Sequence, residues 1–144
     1  MIQEIINGIS IAINNAFGDD YDIYTESIEQ GLKEPCFFIT SISPSREQFL
    51  GKRYFSKNTF CIHYMPKNNK NEECIQVSEK LFDILEVINT DLGFIRGTNV
   101  RTEIADGMLH FFVNYNVFSY KATEQEEMDS LEVKTRRKNE RKSY

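Results

Sequence analysis

The strongest constraint on the fold is a hairpin signal beside a long alternating segment. Asp106-Gly107 is a dipeptide typical of two-residue β-turns. On either side, residues 99–104 and 108–120 alternate in polarity, as strands with two different faces do. In the longer segment one face is wholly apolar or aromatic (Leu109, Phe111, Val113, Tyr115 and Val117). The other face mixes aromatic and polar residues (His110, Phe112, Asn114, Asn116, Phe118 and Tyr120), a composition typical of contacts with another chain or a loop.

Two segments have the apolar spacing of amphipathic helices, which are needed to cover the apolar face of this sheet. The first stripe consists of Ile2, Ile5, Ile6, Ile9, Ala12, Ile13, Ala16 and Phe17. Gly18 is suited to end that helix, whereas Gly8 lowers its helix propensity by about 1 kcal/mol. Asn69 or Asn71 can cap the second helix, whose stripe consists of Cys74, Val77, Leu81, Ile84, Leu85 and Ile88.

Three further segments are predicted to form strands. Tyr21–Thr25 is short and aromatic, and Cys36–Ile42 is apolar on both faces until Ser43-Pro44-Ser45 is expected to end it. Asn58–Met65 places Phe60, Ile62 and Tyr64 on one face and Cys61, His63 and Met65 on the other. The sequence therefore predicts an α+β fold, with a mainly antiparallel sheet and two amphipathic helices packed on one face.

The chain divides at about residue 120. At 144 residues it has the length of one domain, and we expect that domain to occupy residues 1–120. Residues 121–144 contain few large apolar side chains and run from acidic to basic, which predicts a charged C-terminal extension, helical or disordered. The basic end, 134–142, is either a solvated terminus, which we favour, or a contact with phosphates or with a protein surface.

Composition argues against several classes of protein. The net charge is −5, and residues 1–120 hold 10 Lys/Arg against 16 Asp/Glu, which argues against a nucleic-acid binder. Three widely spaced cysteines (Cys36, Cys61 and Cys74) argue against a disulfide scaffold and against a zinc site built from close Cys/His pairs. No apolar run reaches the ~20 residues of a membrane-spanning helix, and the first residues do not resemble a signal peptide. We expect no metal, no cofactor and no membrane partner.

Catalytic motifs are scarce. The one candidate pair is Cys61 and His63, which are neighbours on one strand face and resemble a thiolate–imidazole nucleophile. The competing interpretation, which we favour, is that the two side chains simply pack in or beside a sheet. We therefore predict no catalytic residues.

A better candidate for a functional surface is the segment between the second and third predicted strands. Ser45–Lys57 is expected to be a loop or projecting hairpin, and it combines aromatic and basic side chains that often anchor interfaces. The candidate contact residues are Arg46, Phe49, Lys52, Arg53, Tyr54 and Phe55. The alternative is that Phe49 and Phe55 turn inward to the core.

Four stretches in this order resemble a known family. They are Gln30–Ile39, Gly51–Phe55, Asn71–Cys74 and Asp106–Asn116. Their order and spacing over residues 1–120 are similar to the tail terminators, also called minor tail or tail completion proteins, of Gram-positive phages and prophages. No single one of the four motifs is diagnostic by itself.

The resemblance implies a structural virion protein, made in the bacterial host cytoplasm and placed in the tail. It implies a homo-oligomeric ring, usually of six copies, that closes the head-proximal end of the tail tube, stops tube growth and prepares head joining. The expected partners are further copies of the chain, the tail tube protein and the head-tail connector protein, with DNA only as passing cargo beside an acidic lumen. The alternatives are another morphogenesis part, such as a connector or tail assembly factor, and a small enzyme using Cys61 and His63.

Overall fold

The computed structural model describes residues 1–25, 33–68 and 71–120, which contain two helices and seven strands. In chain order these are α1 (Ile2–Phe17), β1 (Asp22–Tyr24), β2 (Cys36–Gln48), β3 (Arg53–Met65), α2 (Asn71–Ile84), β4 (Val87–Thr90), β5 (Gly93–Ala105), β6 (Met108–Tyr115) and β7 (Val117–Tyr120). The α+β fold class is therefore confirmed. Neither described helix is long and apolar enough to cross a membrane.

The strands form one sheet in the order β1-β2-β3-β6-β5-β4, and β7 pairs with β3. The pairs β3–β6, β5–β6 and β4–β5 are antiparallel, whereas β1 lies parallel to β2. The centre of the sheet is β3 paired with β6, in a register that places His63 opposite His110. As predicted, Asp106-Gly107 forms the turn between β5 and β6, and both residues have positive φ angles of 55° and 72°.

The described residues belong to two compact units. The body comprises Met1–Ser45 and Lys57–Val117. The hairpin unit comprises Arg46–Ser56 and the chain from Phe118 onward, described as far as Tyr120.

The core of the body lies between the two helices and one face of the sheet. Burial alternates strictly along β6, where every second side chain is buried, as the sequence pattern predicts. The helices contribute Ile5, Ile9, Ile13, Cys74, Val77 and Leu81, and the central strands contribute Phe37, Ile39, Phe60, Ile62, Tyr64, Leu109, Phe111, Val113 and Tyr115. The other face of β3 and β6 carries the half-buried side chains His63, His110 and Phe112.

Gly8, which looks like a weak point of α1 in the sequence, has a packing role. A Cβ atom at this position would lie 2.8 Å from the Thr90 methyl group and 3.2 Å from the Asn89 carbonyl oxygen. The glycine therefore allows α1 to approach β4 closely.

Two predicted boundaries are wrong for identifiable reasons. Ser43-Pro44-Ser45 does not end β2, which continues to Gln48. β1 pairs only with Cys36–Phe38, so no β1 residue lies opposite Pro44. A proline, which has no backbone N–H to donate, is tolerated where a strand has an unpaired edge. The second helix ends at Ile84, and Ile88 belongs to β4. This strand was not predicted, because Ile88 continues the helical spacing of the apolar residues before it.

The last two strands also differ from expectation. β5 begins at Gly93 rather than Asn99, because β4 extends the sheet and pairs with its first residues. The predicted strand 108–120 is divided at Asn116, whose side-chain oxygen accepts a hydrogen bond from the Asn58 backbone at 3.3 Å.

Three predictions fall outside the described residues: capping by Asn69, most of the connector 26–33, and the extension 121–144. The predicted division of the chain at residue 120 therefore stays a prediction.

Tyr115 provides a test of the core that does not depend on function. Its buried hydroxyl donates a 2.6 Å hydrogen bond to the Leu85 carbonyl oxygen, and burial raises its pKa above the usual range. Tyr115→Phe leaves that buried carbonyl without this partner, so we expect the free energy of unfolding to fall by about 1–3 kcal/mol. Urea denaturation measures this free energy of unfolding.

The matched control is Tyr120→Phe, at an exposed position, which we expect to change the free energy of unfolding by less than about 0.5 kcal/mol. Equal effects of the two substitutions would contradict the assignment.

Candidate functional site

The segment predicted to be a loop or projecting hairpin is a tight hairpin between β2 and β3. The Phe49 backbone N–H donates to the Arg53 oxygen at 2.8 Å, and the Arg53 N–H donates to the Leu50 oxygen at 3.0 Å. The Gln48 side chain also donates to the Gly51 oxygen at 2.9 Å. Gly51 has a φ of 58°, a left-handed conformation that glycine adopts without strain. These contacts fix the backbone from which the candidate side chains project.

The Arg53 guanidinium contacts two phenylalanine rings of the hairpin unit. Its guanidinium carbon is 4.7 Å from the ring centre of Phe118 and 5.6 Å from that of Phe49, both within cation–π range. Phe118 also contacts Phe49 edge-on at 5.4 Å and Phe55 at 4.8 Å between ring centres. We call these four residues, Phe49, Arg53, Phe55 and Phe118, the aromatic–arginine cluster.

The cluster is a surface and not part of the buried core. Phe49 is 53% exposed and Phe118 is 48% exposed, and neighbouring Leu50 is 66% exposed. Phe55 is half-buried and packs on Phe118. The alternative in which Phe49 and Phe55 enter the core is therefore wrong.

Three of the six candidate contact residues lie in the cluster, and two more form a second stacked pair. The Arg46 guanidinium lies 5.7 Å from the ring centre of Tyr54. Lys52 lies on the exposed turn. Sequence reasoning did not assign Phe118 to this group, although it did identify 108–120 as carrying a partly aromatic face.

Within the cluster, the Arg53 Nε atom is buried and has no hydrogen-bond partner among the described residues. The guanidinium contacts the rings of Phe49 and Phe118, each of which is about half exposed. Aromatic and arginine side chains of this kind are enriched among the residues that dominate binding energy at protein interfaces. The arrangement is suited to binding another protein.

The second candidate, Cys61 with His63, lies in the body on the sheet face opposite the helices. The Cys61 Sγ atom is 3.9 Å from His63 Nδ1, which in turn is 3.0 Å from His110 Nδ1. Burial raises the pKa of the Cys61 thiol to about 11, although the Phe111 backbone and Arg101 act in the opposite direction. Burial and His110 both lower the pKa of His63. The thiol is thus held neutral, whereas a nucleophile needs the thiolate.

Thiol labelling tests this conclusion. With a pKa of about 11, roughly one Cys61 in a thousand is a thiolate at pH 8. Cys36 and Cys74 are also buried with raised pKa values. We expect mass spectrometry to show no rapid alkylation by iodoacetamide in the folded chain and complete modification of all three cysteines in urea. Rapid native labelling at Cys61 alone would revive the enzyme hypothesis.

Residues 4–127 match the family model described as phage tail terminator protein, which extends slightly beyond the resemblance seen in residues 1–120. No curated protein matches the chain.

Proposed function

The chain belongs to the phage tail terminator family, a family of structural tail proteins, and we propose that it caps the head-proximal end of the tail tube. In this proposal six copies form a ring that stops tube growth and prepares the tail for joining to the head. The protein is made in the bacterial host cytoplasm and becomes part of the virion tail. The observation that supports a binding role is the exposed aromatic–arginine cluster.

A closed ring requires each subunit to contact its two neighbours through two different patches. We propose that the hairpin unit supplies one such patch, or the contact with the tube, through Arg46, Phe49, Lys52, Arg53, Tyr54 and Phe55, with Phe118 completing the cluster. Burial of Phe49, Leu50 and Phe118 against a partner would remove large apolar surfaces from water, the main favourable contribution to association.

The charge of the chain suggests how a ring would pass DNA. The 16 acidic residues of 1–120 outnumber its 10 basic residues. An acidic lumen repels phosphate, so DNA would pass through without binding. In this proposal DNA is cargo, and the binding partners are further copies of the chain, the tail tube protein and the head-tail connector protein.

Deletion of the gene from its phage or prophage tests termination directly. We expect electron microscopy of the induced lysate to show overlong tail tubes beside DNA-filled heads without tails, because nothing stops tube polymerisation. A plasmid copy of the gene should restore normal tails. Tails of normal length lying unattached would point instead to a joining role, and normal virions would contradict any role in tail completion.

Charge reversal tests the hairpin surface. Arg53→Glu removes the stacked guanidinium, and we expect the concentration needed to cap polymerising tail-tube protein to rise about 30-fold, as for an interface residue worth about 2 kcal/mol. Tube lengths in electron micrographs give the measurement.

The matched control is Arg96→Glu in the body, where the exposed Arg96 pairs only at the surface with Glu86 at 3.0 Å. It makes the same change in charge and should cap normally. Thermal melting checks that both variants fold. Equal capping by the two variants would contradict a role for the cluster.

A further inference from the structure

Three potential metal ligands converge on the sheet face opposite the helices. Cys61 and His63 lie on β3 at positions i and i+2, and His110 lies on β6 directly opposite His63. One ligand atom from each of the three side chains lies within 4.8 Å of the others. The group faces away from the core; Cys61 is buried, and both histidines are half-buried and so partly open to solvent.

Two of the ligand–ligand separations are near those that a tetrahedral ion imposes, and all three ligand atoms lie within 4.8 Å of one another. With Zn–S bonds of about 2.3 Å and Zn–N bonds of about 2.0–2.1 Å, a tetrahedral zinc ion holds two nitrogens about 3.3 Å apart and a sulfur and a nitrogen about 3.5 Å apart. The observed separations are 3.0 Å between the two Nδ1 atoms and 3.9 Å between Sγ and His63 Nδ1. We propose that Cys61, His63 and His110 bind a single zinc-class divalent cation.

A second observation supports Nδ1 of His63 as a ligand atom. The other ring nitrogen, Nε2, lies 3.4 Å from the Thr40 hydroxyl, which is itself 3.4 Å from the Cys61 carbonyl oxygen. When the hydroxyl donates to the carbonyl it accepts from Nε2–H, and in that tautomer His63 Nδ1 carries the lone pair. An outer partner of this kind, which fixes the tautomer of a histidine, is the usual companion of a metal ligand.

The surroundings define the kind of ion. One sulfur and two imidazole nitrogens suit zinc and related borderline metals, and disfavour magnesium and calcium, which prefer oxygen. Arg101, stacked 4.0 Å over Phe112, lies near Cys61 and favours its thiolate, while Glu103, opposite His110, adds a negative charge on the same face. Binding replaces the thiol proton by the metal–sulfur bond and releases the proton to water.

The consequence is a cross-link between the two central strands. Three protein ligands leave one tetrahedral position for water. The ion would join β3 to β6 on the face that the described helices do not cover. This inference goes beyond the proposed tail function and does not depend on it.

Cobalt substitution tests the site on the untagged full-length chain. After treatment with a chelator, we expect one Co²⁺ per chain to produce a thiolate-to-cobalt charge-transfer band and the intense visible bands of four-coordinate cobalt. Zn²⁺ should displace it with the same stoichiometry and raise the melting temperature. Absence of the charge-transfer band in the wild-type chain overturns the proposal without any variant.

Two alanine substitutions at buried cysteines provide the matched comparison. Cys61→Ala should abolish the charge-transfer band, whereas Cys74→Ala, at an equally buried thiol in α2, should retain it. Thr40→Val should keep the four-coordinate spectrum but weaken Zn²⁺ binding about 10–100-fold. Circular dichroism checks the fold of each variant. Retention of the band in a folded Cys61→Ala variant overturns the assignment.

Discussion

The pairing of β3 with β6 is the interaction on which the body depends. Its register sets Phe60 against Val113, Ile62 against Phe111 and Tyr64 against Leu109 beneath the helices. The intervening residues, Cys61, His63, His110 and Phe112, are thereby placed together on the other face. A slip of one residue would exchange the two sets, so the apolar face that forms the core also fixes the polar chemistry behind it.

The sequence predicted those elements in which local pattern and tertiary packing agree. The helix α1 and the alternation of β6 follow from the spacing of apolar residues, and the turn follows from the Asp106-Gly107 dipeptide itself. The end of α2 did not, because Ile84, Leu85 and Ile88 fit a helical stripe as well as they fit a helix end followed by a short strand. What decides between them lies beyond the helical stripe: β4 pairs with β5, the Leu85 carbonyl accepts a hydrogen bond from Tyr115, and the Glu86 carbonyl accepts one from Gly97.

The same limit applies to both candidate sites. Arg53 was predicted as a contact residue because aromatic and basic residues flank it in the sequence. Phe118, the ring closest to its guanidinium, is remote in sequence and was not predicted to join it. A zinc site was rejected because no close Cys/His motif of the usual spacing exists. Strand pairing supplies His110 instead, a ligand that no spacing rule contains. In each case the sequence identified a type of side chain, and the sheet determined its neighbours.

Burial has opposite consequences for the two chemistries that Cys61 can serve. Desolvation raises the pKa of the thiol because water no longer stabilises the negative sulfur, and this disfavours attack on a substrate. A divalent cation bound to the sulfur stabilises its negative charge in place of water, so a coordinating thiol is deprotonated. The His63 imidazole reinforces this difference, because burial lowers its pKa and so favours the neutral form, which is the form that coordinates a metal. A sheet face that is poor for nucleophilic catalysis by a thiolate is therefore suited to binding a divalent cation.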